Sequence, residues 1–457
     1  MQITTCYTVP LRNQFFFTEG RNIETALRKP VDDSLMKTTS SCCLDALTLC
    51  VDIFLKEWDY LSTLKTSQKK GRISRKRGAD MLIHSGKDYE AKYPEFDERF
   101  KYMPAYTRRA IIADALGIVS SYKSNHANWE TQDPASRGAE PTLGLPDRYE
   151  LTFYDQERDV CNIDKGIIGL KLYNGTAWEW YYFAISPADA KYISNLKKVR
   201  KMLSPVVEKN HERYQVRFAF EETRQLVQNE NPLSYVILAV DLGINAPASW
   251  SVMTSDGTVH AKGVIHLRCD EDRLNHLINR KRMYQQAGKK SKSIYRMVDG
   301  ANRQLSIDTC REIMRVAEKY SVDCIVFEHL ERSGRIRGKR YRERIHMWRA
   351  NDVQNRVELQ AHRNGMRISR VCAWGTSKLA FDGSGKVLRG KDAKLNTYSL
   401  CRFQNGKVYN CDLSASQNIG ARYFLRELAK LPGCPALPKV PQRTLATLLY
   451  AVRKMTA

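Results

Sequence analysis

The sequence predicts a mixed α+β protein of several domains, in which an N-terminal β-barrel interrupted by a helical block precedes an α/β domain. Three observations support this prediction. The chain has 457 residues, too many for one ordinary hydrophobic core. Apolar side chains recur at helical spacing within 22–130, whereas alternating, aromatic-rich segments follow between 149 and 220. From residue 235 onward, nearly all-apolar strands alternate with helices, as in sheets buried on both faces.

The opening residues predict one or two strands, because a β-prone stretch at 3–10 is followed by Phe15-Phe16-Phe17. Helices are predicted at 43–55 and 106–122, where apolar residues lie three and four apart. A strongly basic loop separates these helices. Its basic residues are Lys69, Lys70, Arg72, Arg75, Lys76 and Arg77. Two interpretations are open, a solvated surface loop or a contact with RNA or DNA phosphates.

A Pro- and Gly-rich stretch at 134–146 predicts a linker. The alternation that follows it indicates antiparallel strands of a small barrel, which the opening strand completes. The predicted parts are residues 1–20 (first part of the barrel), 21–133 (helical insertion), 134–232 (remainder of the barrel), 233–371 (α/β domain), 372–411 (nucleic-acid-binding insertion) and 412–457 (last helix and C-terminal tail).

The α/β part begins with the strand Tyr235 to Asp241, whose apolar composition is typical of a sheet centre. The elements predicted after it are strands at 249–253 and 259–264, a helix at 302–320, a strand at 322–328, a helix at 349–363, a strand at 367–373 and a helix from near Asp412 to about Lys430.

Charge and cysteine usage narrow the class of protein. Lys and Arg number 74 against 50 Asp and Glu, a net charge of +24 that attracts phosphate backbones, although ribosomal or membrane-surface proteins share this feature. The twelve cysteines are scattered and form no Cys-x-x-Cys pair, so neither a disulfide framework nor a four-cysteine zinc site is expected. We find no secretory signal and no apolar run of about 20 residues, and therefore predict a cytoplasmic protein without a membrane partner.

Three short acidic segments stand out in this basic chain. They are Val-Asp-Leu-Gly-Ile at 240–244, Ile-Val-Phe-Glu-His at 325–329 and Cys-Asp-Leu-Ser-Ala-Ser-Gln-Asn-Ile at 411–419. Asp241 and Glu328 each end an apolar strand, and Asp412 begins a helix, where it also suits an N-cap. Each residue alone is typical of a turn, a strand end or a cap. Together, in this order, they predict a shared metal site.

The chemistry of such a site explains the residue types. Nucleases of the RNase H type bring carboxylates from separate strands to one end of a sheet, where two Mg²⁺ ions about 4 Å apart hold the scissile phosphate. One ion activates the attacking water, and the other stabilises the leaving 3′ oxygen. Mg²⁺ prefers hard oxygen ligands, hence Asp and Glu rather than Cys or His. We therefore expect Asp241, Glu328 and Asp412 to bind two Mg²⁺ ions, for which Mn²⁺ can substitute.

The three segments resemble those of the split RuvC nuclease domain in TnpB proteins and compact type V CRISPR effectors. The resemblance covers about 235–425 and implies an RNA-guided DNA endonuclease whose catalytic residues are Asp241, Glu328 and Asp412. It also implies a wedge β-barrel with a helical recognition insertion in the N-terminal half. The implied partners are a guide RNA, from a CRISPR array or a transposon end, and double-stranded target DNA with a short flanking motif. A homodimer on one guide is left open.

Two departures from the family pattern concern the third segment. The family commonly has Asp-x-Asn-Ala-Ala, where this chain has Asp412-Leu-Ser-Ala-Ser416. Many relatives place two Cys-x-x-Cys knuckles before it, but only Cys401 remains of the four ligand positions here. We therefore expect a degenerate, zinc-finger-like insertion that folds without zinc. Asp382-Gly-Ser-Gly-Lys386 predicts a hairpin turn rather than a phosphate loop.

Further basic segments follow the first and second acidic segments, and phosphate contact is the favoured interpretation over a solvated surface. Their residues are Arg280, Lys281, Arg282, Lys289 and Lys290, and then Arg335, Arg337, Lys339 and Arg340. Trp348 and Trp374 either stack on unpaired bases or pack in the core. Two alternatives to a guided nuclease remain: a guide-directed DNA-binding protein that does not cleave, and an RNA-independent resolvase or transposase with an RNase H fold.

Overall fold

A computed structural model describes most of the chain, in two compact units. The N-terminal unit comprises residues 4–222, and the C-terminal unit comprises Met1–Ile3 with residues 223–457. The described residues are 1–16, 26–65, 73–134, 137–154, 158–159, 166–210, 212–227, 231–243, 246–289, 291–330, 349–397 and 399–456, with backbone only at 158, 159 and 391. The predicted mixed α+β, multidomain organisation is confirmed, whereas its finer division into six parts stays a prediction.

Two five-stranded sheets form the β part of the N-terminal unit. The strands are β1 (Gln2–Pro10), β2 (Gln14–Phe16), β3 (Leu27–Lys29), β4 (Leu151–Thr152), β5 (Arg158–Asp159), β6 (Ile167–Tyr173), β7 (Trp178–Ala184), β8 (Lys201–Met202), β9 (Val206–Asn210) and β10 (Arg213–Thr223). One sheet has the order β1-β10-β9-β4, with β8 beside β10, and the other has the order β3-β2-β7-β6-β5. The pairs β6–β7 and β9–β10 are antiparallel, as the alternating pattern predicts. The closure of these strands into one barrel stays a prediction.

The helices of this unit lie mostly between β3 and β4. They are α1 (Asp33–Lys56), α2 (Trp58–Thr63), α3 (Arg75–Ile83), α4 (Glu95–Arg99), α5 (Ala105–Glu130) and α6 (Pro187–Val199). The helix α1 begins where the Asp32 carboxylate accepts hydrogen bonds from the backbone N–H groups of Ser34 and Leu35. The apolar faces predicted for α1 and α5 are confirmed, since Leu47 and Phe54 of α1 and Ile111 and Val119 of α5 are buried.

The prediction that the chain has no apolar run of about 20 residues is wrong for α1. The helix is long and apolar enough, by length and composition, to cross a membrane, with a mean hydropathy of 1.4 over its most apolar window. However, half of that window is buried, and the buried side chains of α1 belong to the core of the N-terminal unit. These contacts are typical of a core helix.

A mixed five-stranded sheet lies at the centre of the C-terminal unit, with the order β13-β12-β11-β14-β15. The strands of the unit are β11 (Ile237–Asp241), β12 (Ala248–Met253), β13 (Val259–Ile265), β14 (Cys324–His329), β15 (Arg367–Cys372), β16 (Leu388–Arg389), β17 (Leu400–Arg402) and β18 (Val408–Asn410). The helices are α7 (Arg268–Gln286), α8 (Lys292–Lys319), α9 (Ala350–Arg363), α10 (Cys411–Leu428) and α11 (Leu445–Thr456). β11, β14 and β15 run parallel, whereas β12 and β13 are antiparallel neighbours.

Apolar side chains cover both faces of this sheet, as the all-apolar strands predict. Leu238 and Val240 of β11 face the core that α8 and α9 close. Ile237 and Ala239 face the opposite core, which α10 and α11 close. Because side chains alternate along a strand, the last residue of β11, Asp241, lies on the same face as Ile237 and Ala239.

The helix α10 lies unusually close to the sheet. A Cβ atom at Gly420 would lie 2.5 Å from the Met253 Sδ and 3.2 Å from the Ala239 Cβ, so glycine permits this approach. The hydroxyls of Ser416 and Ser251 are 2.6 Å apart in the core, and this hydrogen bond joins α10 to β12. The Ser416 that departs from the family pattern therefore has a structural contact of its own.

The insertion before α10 contains the small antiparallel sheet β16-β17-β18. Its core includes Phe403 with Cys401 and Cys411, whose thiols are hydrogen-bonded to each other. The hairpin turn predicted at 382–386 is present, since Leu379 and Lys386 form an antiparallel bridge. Folding of this insertion without zinc stays a prediction.

We predict that Gly420→Ala destabilises the C-terminal unit by about 1–3 kcal/mol, because the added methyl group overpacks the contact of α10 with the sheet. Denaturant unfolding measures this change. Gly300→Ala in α8 is the control, because a Cβ at Gly300 meets no atom within 4 Å. That variant should gain roughly 0.5–1 kcal/mol from helix propensity. Equal stability of Gly420→Ala and the wild type would contradict the close approach.

Candidate active site

The first two predicted carboxylates lie at the same edge of the central sheet. β11 and β14 are parallel neighbours in which Val240 pairs with Phe327, so Asp241 and Glu328 follow at adjacent strand ends. Side-chain alternation places Asp241 on the face of Ile237 and Ala239, and Glu328 on the face of Cys324 and Val326. Both carboxylates therefore project on the side of the sheet that α10 covers.

The third carboxylate belongs to the first turn of α10. The N-cap is Asn410, whose side-chain oxygen accepts hydrogen bonds from the N–H groups of Asp412 (2.9 Å) and Leu413 (3.0 Å). The interpretation of Asp412 as the cap is therefore wrong. Because Asn410 satisfies the helix end, the Asp412 carboxylate is available for another role.

The charges of Glu328 and Asp412 act on Asp241. Burial raises the pKa of Asp241 above its ordinary value, and the negative charges of Glu328 and Asp412 raise it further. Burial also raises the pKa of Glu328 and of Asp412. Such crowding of like charges is a common feature of functional sites.

Two arginines moderate this repulsion. Arg389 of β16 lowers the pKa of Asp241 and of Asp412, in opposition to their burial. Its guanidinium also donates to the Ser377 carbonyl at 2.6 Å. Arg422 of α10 similarly opposes the raised pKa of Glu328. Each cation thus favours the ionised form of a carboxylate that burial disfavours.

A hydroxyl contacts Glu328 directly. Thr376 Oγ1 donates a hydrogen bond to Glu328 Oε1, which favours the carboxylate and lowers its pKa. The Glu328 backbone carbonyl accepts a second hydrogen bond from Gln354 Nε2 at 2.9 Å. Both the side chain and the backbone at the end of β14 are therefore fixed by neighbours.

The chemistry of these donors fits a divalent cation. Within the described residues, no three His, Cys, Asp or Glu side chains are grouped closely enough to hold a metal ion as they stand. However, hard carboxylate oxygens are the ligands that Mg²⁺ prefers, and a bound cation would relieve the repulsion that raises the pKa of Asp241. Asp241, Glu328 and Asp412 thus suit the ion in donor type, but the structure does not preassemble them at ligand spacing.

The basic residues predicted to bind nucleic acid fall into three groups. Lys69, Lys70, Arg72, Lys290, Arg335, Arg337, Lys339 and Arg340 lie outside the described residues, as does Trp348. Arg75 has a structural role, since its guanidinium donates to the Leu61 carbonyl at 2.8 Å, and Arg77 pairs with Asp80 at 3.0 Å. Lys76 is exposed. Nucleic-acid contact by these residues stays a prediction.

The helical hairpin α7–α8 carries the third group. Arg280, Arg282 and Lys289 are exposed, and Lys281 lies over the Tyr295 ring at 5.3 Å. Between 273 and 298 the sequence contains eight Lys or Arg and no Asp or Glu. The part of the hairpin nearest its turn therefore carries an excess of positive charge.

Trp374 lies on the loop between β15 and the insertion and is 69% exposed. The alternative that this side chain packs in the core is therefore wrong. Its stacking on unpaired bases stays a prediction.

Sequence reasoning missed Thr376, Arg389 and Arg422. Arg422 gave one usable signal, because a charged residue inside an otherwise buried helix must find partners in the core. Thr376 and Arg389 gave none, since each reaches the carboxylates only through the folding of the insertion and of its preceding loop.

We predict that Asp241→Asn stabilises the metal-free protein at neutral pH. Because the folded state raises the pKa of Asp241, it binds this proton more tightly than the unfolded chain, so stability falls as pH rises above the ordinary pKa of about 4. The variant removes this loss. Each 1 kcal/mol gained would raise Tm by about 2–4 °C in a unit of this size.

The measurement is Tm in EDTA at about pH 5 and about pH 8, with a larger advantage of Asp241→Asn expected at the higher pH. Asp272→Asn, at an exposed position of α7, is the control and should show no such trend. An advantage that does not grow with pH would contradict the crowding of the carboxylates.

Comparisons with known proteins give a short sequence match and a long structural one. The profile of the Aq_aa04 family matches residues 22–174, about a third of the chain. No curated protein matches the sequence significantly.

Among solved structures, the cryo-EM structure of a Cas12f1–sgRNA–target DNA complex matches 91% of this chain and 99% of its own, with a TM-score of 0.53 and 12% identity. CasPhi-2 (Cas12j) bound to crRNA and phosphorothioate-DNA matches 92% of this chain and 91% of its own, with a TM-score of 0.44 and 8% identity. C2c1 of Alicyclobacillus acidoterrestris with single-guide RNA matches 86% and 66%, with a TM-score of 0.39 and 9% identity. On the Cas12f1 match, the chain has a fold similar to that of the compact CRISPR–Cas12 effectors.

Proposed function

We propose that this protein is an RNA-guided DNA endonuclease that hydrolyses phosphodiester bonds with Mg²⁺ in a single RuvC-type site. The guide RNA, encoded by a CRISPR array or a transposon end, would supply sequence specificity by base pairing, and the protein would recognise a short flanking DNA motif. In this proposal the protein acts in the prokaryotic cytosol, alone or as a homodimer on one guide.

One observation carries the proposal. Asp241 and Glu328 end adjacent parallel strands on the face covered by α10, and the charges of Glu328 and Asp412 raise the pKa of Asp241. Three carboxylates crowded at a sheet edge are costly unless a cation compensates them. The likeness to Cas12f1, observed in a complex with guide RNA and target DNA, supports the nucleic-acid partners.

In this mechanism the protein positions charge at the scissile phosphate. Mg²⁺ held by Asp241, Glu328 and Asp412 would polarise the phosphate and activate water. The partial exposure of all three side chains leaves the site accessible to solvent and to substrate. Arg389 opposes the burial that raises the pKa of Asp241 and Asp412, because its charge favours their ionised forms.

One observation favours the guide-directed binding protein that does not cleave. The described carboxylates are not grouped at metal-ligand spacing, so catalysis requires a local rearrangement when the cation binds. The RNA-independent resolvase or transposase would need neither a guide RNA nor the N-terminal unit. Co-purified RNA distinguishes it from the other two candidates.

We predict that Asp241→Ala abolishes Mg²⁺-dependent cleavage and leaves RNA and DNA binding intact, because it removes a cation ligand and no phosphate contact. The protein is expressed with its native flanking locus, and bound RNA is sequenced. Cleavage of a plasmid that matches this RNA is then measured for wild type and variant. The expected loss of rate is at least about 10³-fold, about 4 kcal/mol of barrier.

Asp308→Ala is the matched control, because Asp308 is a partly buried acidic residue of α8 that pairs with Arg311 of the same helix. Discrete RNA without cleavage in the wild type would favour the binding-only function. The absence of any specific RNA would contradict both guided functions.

We predict that Arg280→Gln, Lys281→Gln and Arg282→Gln together weaken DNA binding and reduce its salt dependence. Each phosphate contact contributes about 0.9 to the slope of log K against log salt concentration, so three lost contacts change it by about 2.7. Fluorescence anisotropy over a series of salt concentrations measures the slope.

The control replaces Arg311, Arg315 and Lys319 of α8 by Gln, which changes the net charge equally. Arg311 and Arg315 pair with Asp308 and Glu312 on the same helix. If both triple variants changed the slope equally, the change in net charge alone would explain the result. That outcome would contradict a specific role of the hairpin in DNA binding.

A further inference from the structure

We propose that α10 positions Glu328 as well as Asp412, and that Thr376 is the positioning residue through which it does so. The proposal deepens the function proposed above and rests on its cation site. Three contacts connect α10 to the Glu328 side chain, which belongs to a different element.

The first contact is made by Arg422, which is 3% exposed. Its guanidinium donates to the carbonyls of Cys372 (2.6 Å) and Trp374 (3.0 Å) on the loop after β15, and to that of Pro441 (3.0 Å) before α11. A buried cation with this many acceptors is expensive to displace. The loop 372–376 is therefore fastened to α10.

The second contact is made by Asn418, one helical turn before Arg422 on the same face of α10. Its Nδ2 donates to the carbonyls of Thr376 (3.0 Å) and Leu379 (2.9 Å), and its Oδ1 accepts from the N–H of Leu445 (3.3 Å). Asn418 is fully buried, and both ends of its amide are satisfied. The backbone of Thr376 consequently has a fixed position relative to α10.

The third contact joins Thr376 to Glu328. The threonine is 2% exposed, and its hydroxyl donates to Glu328 Oε1, with the Ala373 carbonyl at 2.9 Å as an alternative acceptor. A hydroxyl has one proton, so it serves one acceptor at a time, and the ionised carboxylate is the stronger one. Oε2 of Glu328 and the remaining lone pair of Oε1 stay available to a cation.

A single helix thus sets two of the three carboxylates. Asp412 lies in its first turn, while Asn418 and Arg422 hold the loop whose Thr376 orients Glu328. Partners that orient the ligands of a metal typically contribute about 10- to 100-fold to metal affinity. The Thr376 hydroxyl would orient a metal ligand in this way. Sequence patterns do not identify it, because they recognise the ligands themselves and threonine is not one of them here.

The test measures binding of Mn²⁺ to the full metal-free chain by electron paramagnetic resonance, with Tm as the check of folding. Thr376→Val keeps the shape and removes the hydroxyl, so it should weaken Mn²⁺ binding roughly 10-fold or more. Thr376→Ser restores a hydroxyl and should recover most of the affinity. Thr309→Val is the matched control, since Thr309 is a buried threonine of α8 whose hydroxyl donates to the Leu305 carbonyl.

Asn418→Ala tests the hydrogen bonds by which α10 holds the backbone of Thr376. It should weaken Mn²⁺ binding in the same direction, and the double variant should bind no more weakly than Thr376→Val alone, because both act through one contact. Full additivity of the two changes would overturn the connection through α10.

The remaining outcomes separate this proposal from the proposed function. Wild-type affinity in Thr376→Val, with binding lost in Asp241→Ala, would overturn the positioning role and leave the cation site. Equally weakened Mn²⁺ binding in Thr376→Val and Thr309→Val would also overturn the positioning role, because it would indicate a general loss of stability in the C-terminal unit. Identical Mn²⁺ binding by wild type and Asp241→Ala would overturn the cation site and the positioning role together.

Discussion

The repulsion that Glu328 and Asp412 exert on Asp241 is the constraint that the neighbouring residues of the C-terminal unit must moderate. Burial and the charges of Glu328 and Asp412 both raise the pKa of Asp241, so the fold disfavours the ionised form of this carboxyl. The surrounding structure reduces this cost without removing it. Arg389, Arg422 and the Thr376 hydroxyl each favour an ionised carboxylate, but none forms a close ion pair with Asp241 that would block a cation.

The helix α10 meets this constraint because it combines close packing with polar contacts. Gly420 lets it approach the sheet, while Ser416, Asn418 and Arg422 satisfy their polar groups within the core. Buried polar networks that are fully satisfied specify one arrangement more strictly than apolar contacts do. The precision of the site and the specificity of the packing therefore come from the same residues.

Much of this arrangement follows from local sequence patterns, and the remainder depends on tertiary contacts. The strands that carry Asp241 and Glu328 have a nearly continuous apolar composition, and the sequence predicts both, together with the helix at Asp412. The interpretation of Asp412 as an N-cap fails because Asn410 also suits that position, and only backbone geometry decides. Thr376 acts on Glu328 across 48 residues of chain, and Arg389 acts on Asp241 and Asp412 from within the insertion, so no local pattern reveals them.

The hairpin α7–α8 has its own small hydrophobic core, formed by Leu277, Ile278, Val298 and a few neighbours. Its two helices connect β13 to β14 of the central sheet, and the residues near Gly288 at its turn are exposed. Exposed turns between locally stable helices tolerate added chain at a modest entropic cost. This turn is consequently a natural attachment point for a second protein module, which could be grafted there without disturbing the sheet that carries the carboxylates.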